Sequence, residues 1–176
     1  MTHTTKRGLA LLAAGLLAVA AAQAHIRINP TESAAGGREM YRMRVPNEKQ
    51  VDAIRIEGEF PAGLNVYAFE PKAGFKVELK KDDKGNIVGA TWSGALHPYE
   101  FLEFGMLAVN PKEGSELVWK FVQYYADGSK EEFTGPVGSR LPAPVVKLTP
   151  AVPPAAAPVT CCSVTRRFID PRATRR

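Results

Sequence analysis

The chain has 176 residues, with 23 lysines and arginines against 18 aspartates and glutamates, for a formal net charge of +5. Residues 25–160 alone hold 16 basic and 17 acidic residues, so the excess positive charge belongs to the two ends of the chain. This balance gives the body no basic surface for nucleic acid. The cysteines are the adjacent pair Cys161 and Cys162, which excludes a disulfide framework as the source of stability.

The first 24 residues have the pattern of a secretory signal peptide. A basic start precedes an apolar run from Gly8 to Ala22, and Ala22-Gln23-Ala24 supplies the small residues of a cleavage site. The apolar run is too short for a comfortable membrane span, and we expect none in the mature chain. Sites ending at Ala20 or Ala22 also fit the small-residue rule. Cleavage after Ala24 is the favoured prediction, and it gives a periplasmic or secreted protein that begins at His25.

Beyond the signal peptide, the hydrophobic pattern is that of β-strands. Apolar and polar residues alternate in five clear runs, and none of them has a sustained 3.6-residue stripe. The runs are Ile54–Phe60, Phe75–Lys80, Val88–Trp92, Leu102–Ala108 and Leu117–Phe121. About eight short strands with frequent turns predict one all-β domain over residues 25–148, built as a sandwich or a small barrel.

The last part of the domain carries a hairpin signal and then loses its core-forming pattern. Asp127-Gly128 predicts a two-residue hairpin loop before Glu132-Phe133. Val145–Leu148 is expected to add a final edge strand. Residues 149–176 are rich in proline and alanine and then in arginine, which predicts a disordered tail. Cys161 and Cys162 lie in that tail, where loose thiols or intermolecular disulfides are the ordinary interpretation and a Cu(I) dithiolate is the alternative.

A histidine at the start of the mature chain suggests a metal site. The free α-amine and the imidazole of His25 can close one chelate ring, which is geometrically fixed ligation of the Cu(II) type. If strands at 25–28 and 38–45 pair antiparallel around a turn at 30–37, His25 falls opposite about Val45. Glu48 then lies at the same end of the sandwich, where its carboxylate could complete the ligand set. On pattern alone, a solvated loop acid is the alternative for Glu48.

Several stretches in order along the chain resemble one family of secreted bacterial proteins. They are Ala24-His25, Ser33–Gly37, Arg44-Val45-Pro46-Asn47-Glu48, Pro71–Glu78, Thr91-Trp92-Ser93-Gly94 and Val122–Gly128. The chain is similar over residues 25 to about 148 to YcnI-like copper-binding domains. The resemblance implies an immunoglobulin-like or cupredoxin-like β-sandwich that binds one Cu(II) in a single-histidine brace, with His25 and Glu48 as the ligands. It also implies that Phe133 stands where the family tends to have a tryptophan beside the copper, while Trp92 is a core residue.

Other residues compete for a role in metal binding. His97 could form a second brace histidine, as in copper oxygenases that cleave polysaccharides, but its Leu96-His97-Pro98 context favours a surface turn. Met40 and Met43 lie three apart on a predicted strand, so they point to opposite faces and cannot bind one ion together. We expect one of the two in the core and the other on the surface.

These observations predict a copper-binding protein for uptake, trafficking or homeostasis, and not an enzyme. No catalytic acid–base pair stands out in the sequence. The alternatives are a metal-free interaction module and a copper-dependent oxygenase. The resemblance implies exchange of copper with a small periplasmic Cu(I) chaperone or an inner-membrane transporter, and nothing in the chain predicts a nucleic-acid partner.

Overall fold

The computed structural model describes residues 25–151. The predicted signal peptide at 1–24 and residues 152–176 of the predicted tail, including both cysteines, lie outside the described residues. The described chain is all-β, as predicted, and no helix in it is long and apolar enough to cross a membrane. Its strands are β1 Arg27–Asn29, β2 Glu32–Ala34, β3 Arg38–Pro46, β4 Ala53–Glu59, β5 Asn65–Phe69, β6 Lys76–Lys81, β7 Ile87–Leu96, β8 Phe101–Val109, β9 Glu116–Val118, β10 Lys120–Tyr125, β11 Lys130–Phe133 and β12 Val145–Thr149.

Two large antiparallel sheets form the sandwich. One sheet has the order β1-β3-β8-β5 and the other β11-β10-β4-β7-β6, and a third small sheet has the order β2-β12-β9. The inner faces meet in one apolar core, where Trp92 of β7 packs on Phe104 of β8 with ring centroids 5.7 Å apart. Burial of such alternating faces is what stabilises a sandwich of short strands.

Alternation along β3 decides which side chains enter the core. Tyr41, Met43 and Val45 are buried, whereas Met40 is 41% exposed on the opposite face. This confirms that the two methionines cannot share one ion on this strand. Trp92, at 1% exposure, is confirmed as a core residue.

Three local predictions were wrong. The turn region 30–37 contains β2, which pairs in parallel with β12. Because β9 pairs with the other side of β12, Val145–Thr149 is the central strand of its sheet and not an edge strand. Tyr125 N–H donates to the carbonyl of Ser129, so the hairpin loop has three residues, with Gly128 at a φ of 82°. A left-handed glycine is the usual last residue of a three-residue hairpin loop.

Candidate metal centre

The pairing of β1 with β3 brings the two predicted ligands to one end of the sandwich. Arg27 lies opposite Arg44 and Asn29 opposite Arg42. Extended by two residues, this register sets His25 beside Pro46, one residue from the predicted position. Glu48 follows two residues after Pro46, in the loop that leaves β3. Antiparallel pairing therefore places the start of the described chain and this loop at the same end.

The His25 imidazole is held by a backbone carbonyl. Its Nε2 lies 2.8 Å from the carbonyl oxygen of Arg140. Because a carbonyl oxygen only accepts hydrogen bonds, Nε2 must carry the hydrogen and donate it. In the neutral imidazole, Nδ1 then has no hydrogen and keeps its lone pair for another partner. Nδ1 is also the ring nitrogen that can close a six-membered chelate ring with the α-amine of the same residue.

Phe133 lies against this imidazole. The ring centroids of His25 and Phe133 are 6.3 Å apart and the ring planes are 80° apart, an edge-to-face contact. Phe133 ends β11 and is 2% exposed. The resemblance implied that Phe133 takes the place of a tryptophan beside the copper, and the structure shows that its ring contacts His25. An apolar ring here limits the orientations that the imidazole can adopt.

The loop that carries Glu48 is fixed by the residue before it. The Asn47 side chain is 1% exposed, and its Nδ2 donates to the carbonyl oxygens of Val51 at 2.8 Å and Leu96 at 2.9 Å. Its Oδ1 accepts from the backbone N–H of Lys49 at 3.0 Å. The loop is thereby tied to the rest of the sandwich on both sides of Glu48.

The residue after Glu48 ties the same loop to the β10–β11 hairpin. Lys49 Nζ donates to Ser129 Oγ at 2.9 Å and lies 3.9 Å from the centroid of the Tyr125 ring. The Tyr125 hydroxyl donates to Glu131 Oε2 at 2.7 Å. The Glu48 loop and the hairpin therefore form one connected surface at this end.

This end of the molecule gathers negative charge around Tyr125. Burial raises the pKa of the Tyr125 phenol, the bond to Glu131 raises it further, and the charges of Glu131, Glu48 and Asp127 add to the effect. The hydrogen bond from the Ser129 side chain lowers the pKa of Asp127, which keeps that carboxylate ionised. Three carboxylates and one cation, Lys49, therefore surround Tyr125 at this end of the molecule.

His25 and Glu48 open onto different grooves of this end. His25 lines a groove with residues 26–29 and 142–145, whereas the exposed Glu48 lines another with Tyr99 and Phe101. Within residues 25–151, no three side chains of histidine, cysteine, aspartate or glutamate converge on a point that could hold a metal.

His97 is a surface residue, as predicted. Its side chain is 62% exposed, and its Nδ1 lies 3.0 Å from Asp52 Oδ1. The hydrogen bond from the imidazole to Asp52, together with that carboxylate's charge, raises the pKa of His97. Its partner is thus a carboxylate on the loop before β4.

Comparison with known proteins confirms the family that the sequence resembles. The sequence model of a domain of unknown function, DUF1775, matches residues 25–148. The chain belongs to the DUF1775 family. This DUF1775 chain is 36% identical over 146 residues to the copper-binding protein CutI of Bacillus subtilis (strain 168), covering 81% of the chain and 71% of CutI.

A solved structure supports the fold of this DUF1775 domain. It is an uncharacterised protein from Nocardia farcinica, described as having an immunoglobulin-like fold. The two superpose with a TM-score of 0.62 at 24% identity, over 73% of this chain and 99% of that one. The immunoglobulin-like sandwich is confirmed by this likeness.

Several groups around His25 and Glu48 were not found from the sequence. The contact with the Arg140 carbonyl could not be predicted from the sequence, because a backbone group 115 residues away along the chain makes it. Asn47 lies in the quoted Arg-Val-Pro-Asn-Glu stretch, but one of its side-chain partners, Leu96, is in a strand far along the chain. Gln123 could have been singled out from the sequence, because it is a polar residue at an inward position of β10, between the buried Phe121 and Tyr125.

Proposed function

We propose that this protein binds one copper ion as Cu(II) in a single-histidine brace. The ligands are the α-amine and Nδ1 of His25, in the chain cleaved after Ala24, together with the carboxylate of Glu48. Such a site draws two of its ligand atoms from one residue, so it needs only two side chains. Two nitrogens and one carboxylate oxygen form a donor set that suits Cu(II).

The observation that carries this proposal is the hydrogen bond from His25 Nε2 to the Arg140 carbonyl. Histidines that bind metals commonly donate the other ring N–H to a backbone carbonyl or a carboxylate, which fixes both tautomer and ring orientation. Here that bond leaves free the nitrogen that a terminal brace requires. Phe133, packed on the same ring, supports the orientation from a second side.

The relationship to CutI and the acidic surroundings support the choice of copper and of Glu48. The name of CutI states copper binding, and this chain is 36% identical to it over 146 residues. Acids at this end of the sandwich favour a divalent cation over an anion. Asn47 and Lys49 hold the backbone on either side of Glu48.

We further propose that the protein serves copper uptake, trafficking or homeostasis in the periplasm or outside the cell, and that it is not an enzyme. Three protein ligands leave coordination positions open, which suits exchange with a second copper carrier. A small periplasmic Cu(I) chaperone or an inner-membrane transporter would be a suitable partner. His97, which hydrogen-bonds to Asp52, is not proposed as a second brace ligand.

The test is a Cu(II) titration of residues 25–176 that start with a free His25 amine. We expect tight one-to-one binding, which is lost when a methionine precedes His25 or when the amine is acetylated. Unchanged affinity in the blocked forms would exclude the brace. No copper binding by any form would favour the metal-free interaction module.

The Glu48 ligand is tested separately with Glu48→Gln. We expect weaker Cu(II) binding and an altered spin-resonance spectrum with an unchanged number of coordinated nitrogens. Glu100→Gln is the matched control, because Glu100 lines the same groove as Glu48. Equal effects of the two substitutions would indicate a general loss of charge and not the loss of a ligand.

A further inference from the structure

Gln123 has a side chain amide that is only half satisfied. The residue is 1% exposed, and its Nε2 donates to the carbonyl oxygen of Pro46 at 3.1 Å. No group within residues 25–151 donates to its Oε1. Because the Pro46 carbonyl only accepts, the amide cannot be turned around, and its oxygen must face away from Pro46. A buried carbonyl oxygen that accepts no hydrogen bond destabilises the fold, and native proteins rarely retain one without a structural or functional role.

The neighbours of Gln123 are also the neighbours of His25. Pro46, which accepts from Gln123, is the residue that the β1–β3 register sets beside His25. Across β10 and β11, Gln123 pairs with Glu131, and the next inward pair is Phe121 with Phe133. Phe133 in turn contacts the His25 ring. Gln123 therefore bonds to the residue that the β1–β3 register sets beside His25, and it lies two residues along β10 from the partner of Phe133.

We propose that Gln123 is a positioning residue for the copper centre, and that its Oε1 accepts a hydrogen bond from the α-amine of His25 once the chain begins there. This inference rests on the proposed function. In a longer chain, the His25 nitrogen is a planar amide with one hydrogen in a fixed direction. Cleavage makes it a tetrahedral amine with additional N–H directions, and a copper-bound amine still carries two hydrogens. One of them can satisfy the carbonyl while the nitrogen lone pair points to the metal.

Two substitutions of Gln123 distinguish the role of its Oε1 as an acceptor from the role of its Nε2 as the donor to Pro46. Gln123→Leu removes both hydrogen bonds, whereas Gln123→Glu keeps an acceptor and loses the donor to Pro46. For residues 25–176, we expect Gln123→Leu to bind Cu(II) about 10- to 100-fold more weakly, as is typical for groups that orient metal ligands. We expect Gln123→Glu to weaken binding less than Gln123→Leu does, because a carboxylate still accepts from the amine. Equal weakening by both would assign the effect to the Pro46 bond, and unchanged affinity in Gln123→Leu would also overturn the proposal.

A metal-free measurement distinguishes this inference from the copper proposal itself. Gln123→Leu should lower the Tm more in the chain starting at His25 than in the chain that retains Ala24, because only the first has the amine partner. Asn110→Leu is the matched control. Its amide is also buried and bonds to Tyr41, Ser33 and Ala34, near the end of β8 that pairs with the start of β3.

We expect Asn110→Leu to lower the Tm equally in both chains. Equal losses for Gln123→Leu as well would overturn the inference, whatever the copper titration gives. Conversely, a wild-type chain that fails to bind copper but shows the unequal losses would contradict the proposed function alone.

Discussion

The imidazole of His25 meets the ring of Phe133 edge-on, with 6.3 Å between the two centroids. This contact joins the start of the described chain to the end of β11, and it connects the proposed copper ligand directly to the apolar core. A residue at a chain end, as His25 would be in the proposed mature protein, usually has few contacts that fix its orientation. Here a buried aromatic ring on one side and the Arg140 carbonyl on the other restrict it.

Phe133→Ala should destabilise the fold and weaken copper binding together. Phe133 is almost fully buried, so truncation to alanine is expected to lower the free energy of unfolding by about 3–5 kcal/mol. Urea unfolding of residues 25–176 measures this loss. Phe133→Leu keeps most of the buried volume and should keep the fold, while the edge-on support of the imidazole is lost. Cu(II) affinity in Phe133→Leu equal to wild type would show that the ring contact does not contribute to the site.

The tautomer of His25 is a direct consequence of the Arg140 contact. In the copper-free chain, we expect neutral His25 to carry its hydrogen on Nε2, as read from the imidazole ¹⁵N chemical shifts. His97 is the internal control, because its Nδ1 faces Asp52 and should carry the hydrogen when that ring is neutral. A dominant Nδ1–H form of His25 would contradict the carbonyl contact and remove its support for the brace.

Asn47→Ala should lower both the stability of the fold and its affinity for copper. The substitution leaves the carbonyls of Val51 and Leu96 and the N–H of Lys49 without their partner. We expect the free energy of unfolding to fall by about 2–4 kcal/mol, since each buried group left unpaired costs about 1–3 kcal/mol. Asn47→Asp keeps the acceptor for Lys49 but loses both donors, so it should remain well below wild type. Chemical denaturation and Cu(II) titration of the two variants measure these effects. A fall in the free energy of unfolding of less than about 0.5 kcal/mol, as is usual for surface substitutions, would contradict the prediction.

The His97–Asp52 pair should make stability depend on pH. The carboxylate raises the pKa of His97 above its ordinary value of 6.5 in the folded chain. The contribution of this ion pair to the free energy of unfolding is therefore fully present below pH 6.5. It is lost as the pH rises through the pKa of His97 in the folded chain. An NMR titration should find the raised pKa in the wild type and a value closer to 6.5 in Asp52→Asn. Asp83→Asn, which removes an acid elsewhere, should leave the His97 titration unchanged.

Much of the fold follows from the sequence because alternation fixes which face of each strand is buried. The five alternating runs all became strands or parts of strands, and Met43 and Met40 took opposite faces for that reason. The run at 117–121 shows the limit of such reasoning. Leu117, Trp119 and Phe121 are all buried, but β9 and β10 belong to different sheets, with Trp119 N–H donating to the Pro144 carbonyl between them. Alternation predicts the buried face and not the sheet that a strand joins.

For the candidate site, the sequence by itself suggested the proposed ligands, His25 and Glu48, and predicted that both lie at one end of the molecule. A histidine at the start of the proposed mature chain supplies two nitrogens by covalent geometry, and antiparallel pairing of β1 with β3 puts the Glu48 loop at the same end. Only the tertiary structure decided the orientation of the imidazole, because Arg140 and Phe133 reach His25 across more than one hundred residues. The tertiary structure also gave the Gln123 side chain its hydrogen bond to the Pro46 carbonyl oxygen. Such contacts depend on packing between sheets, and no local pattern along one strand contains that information.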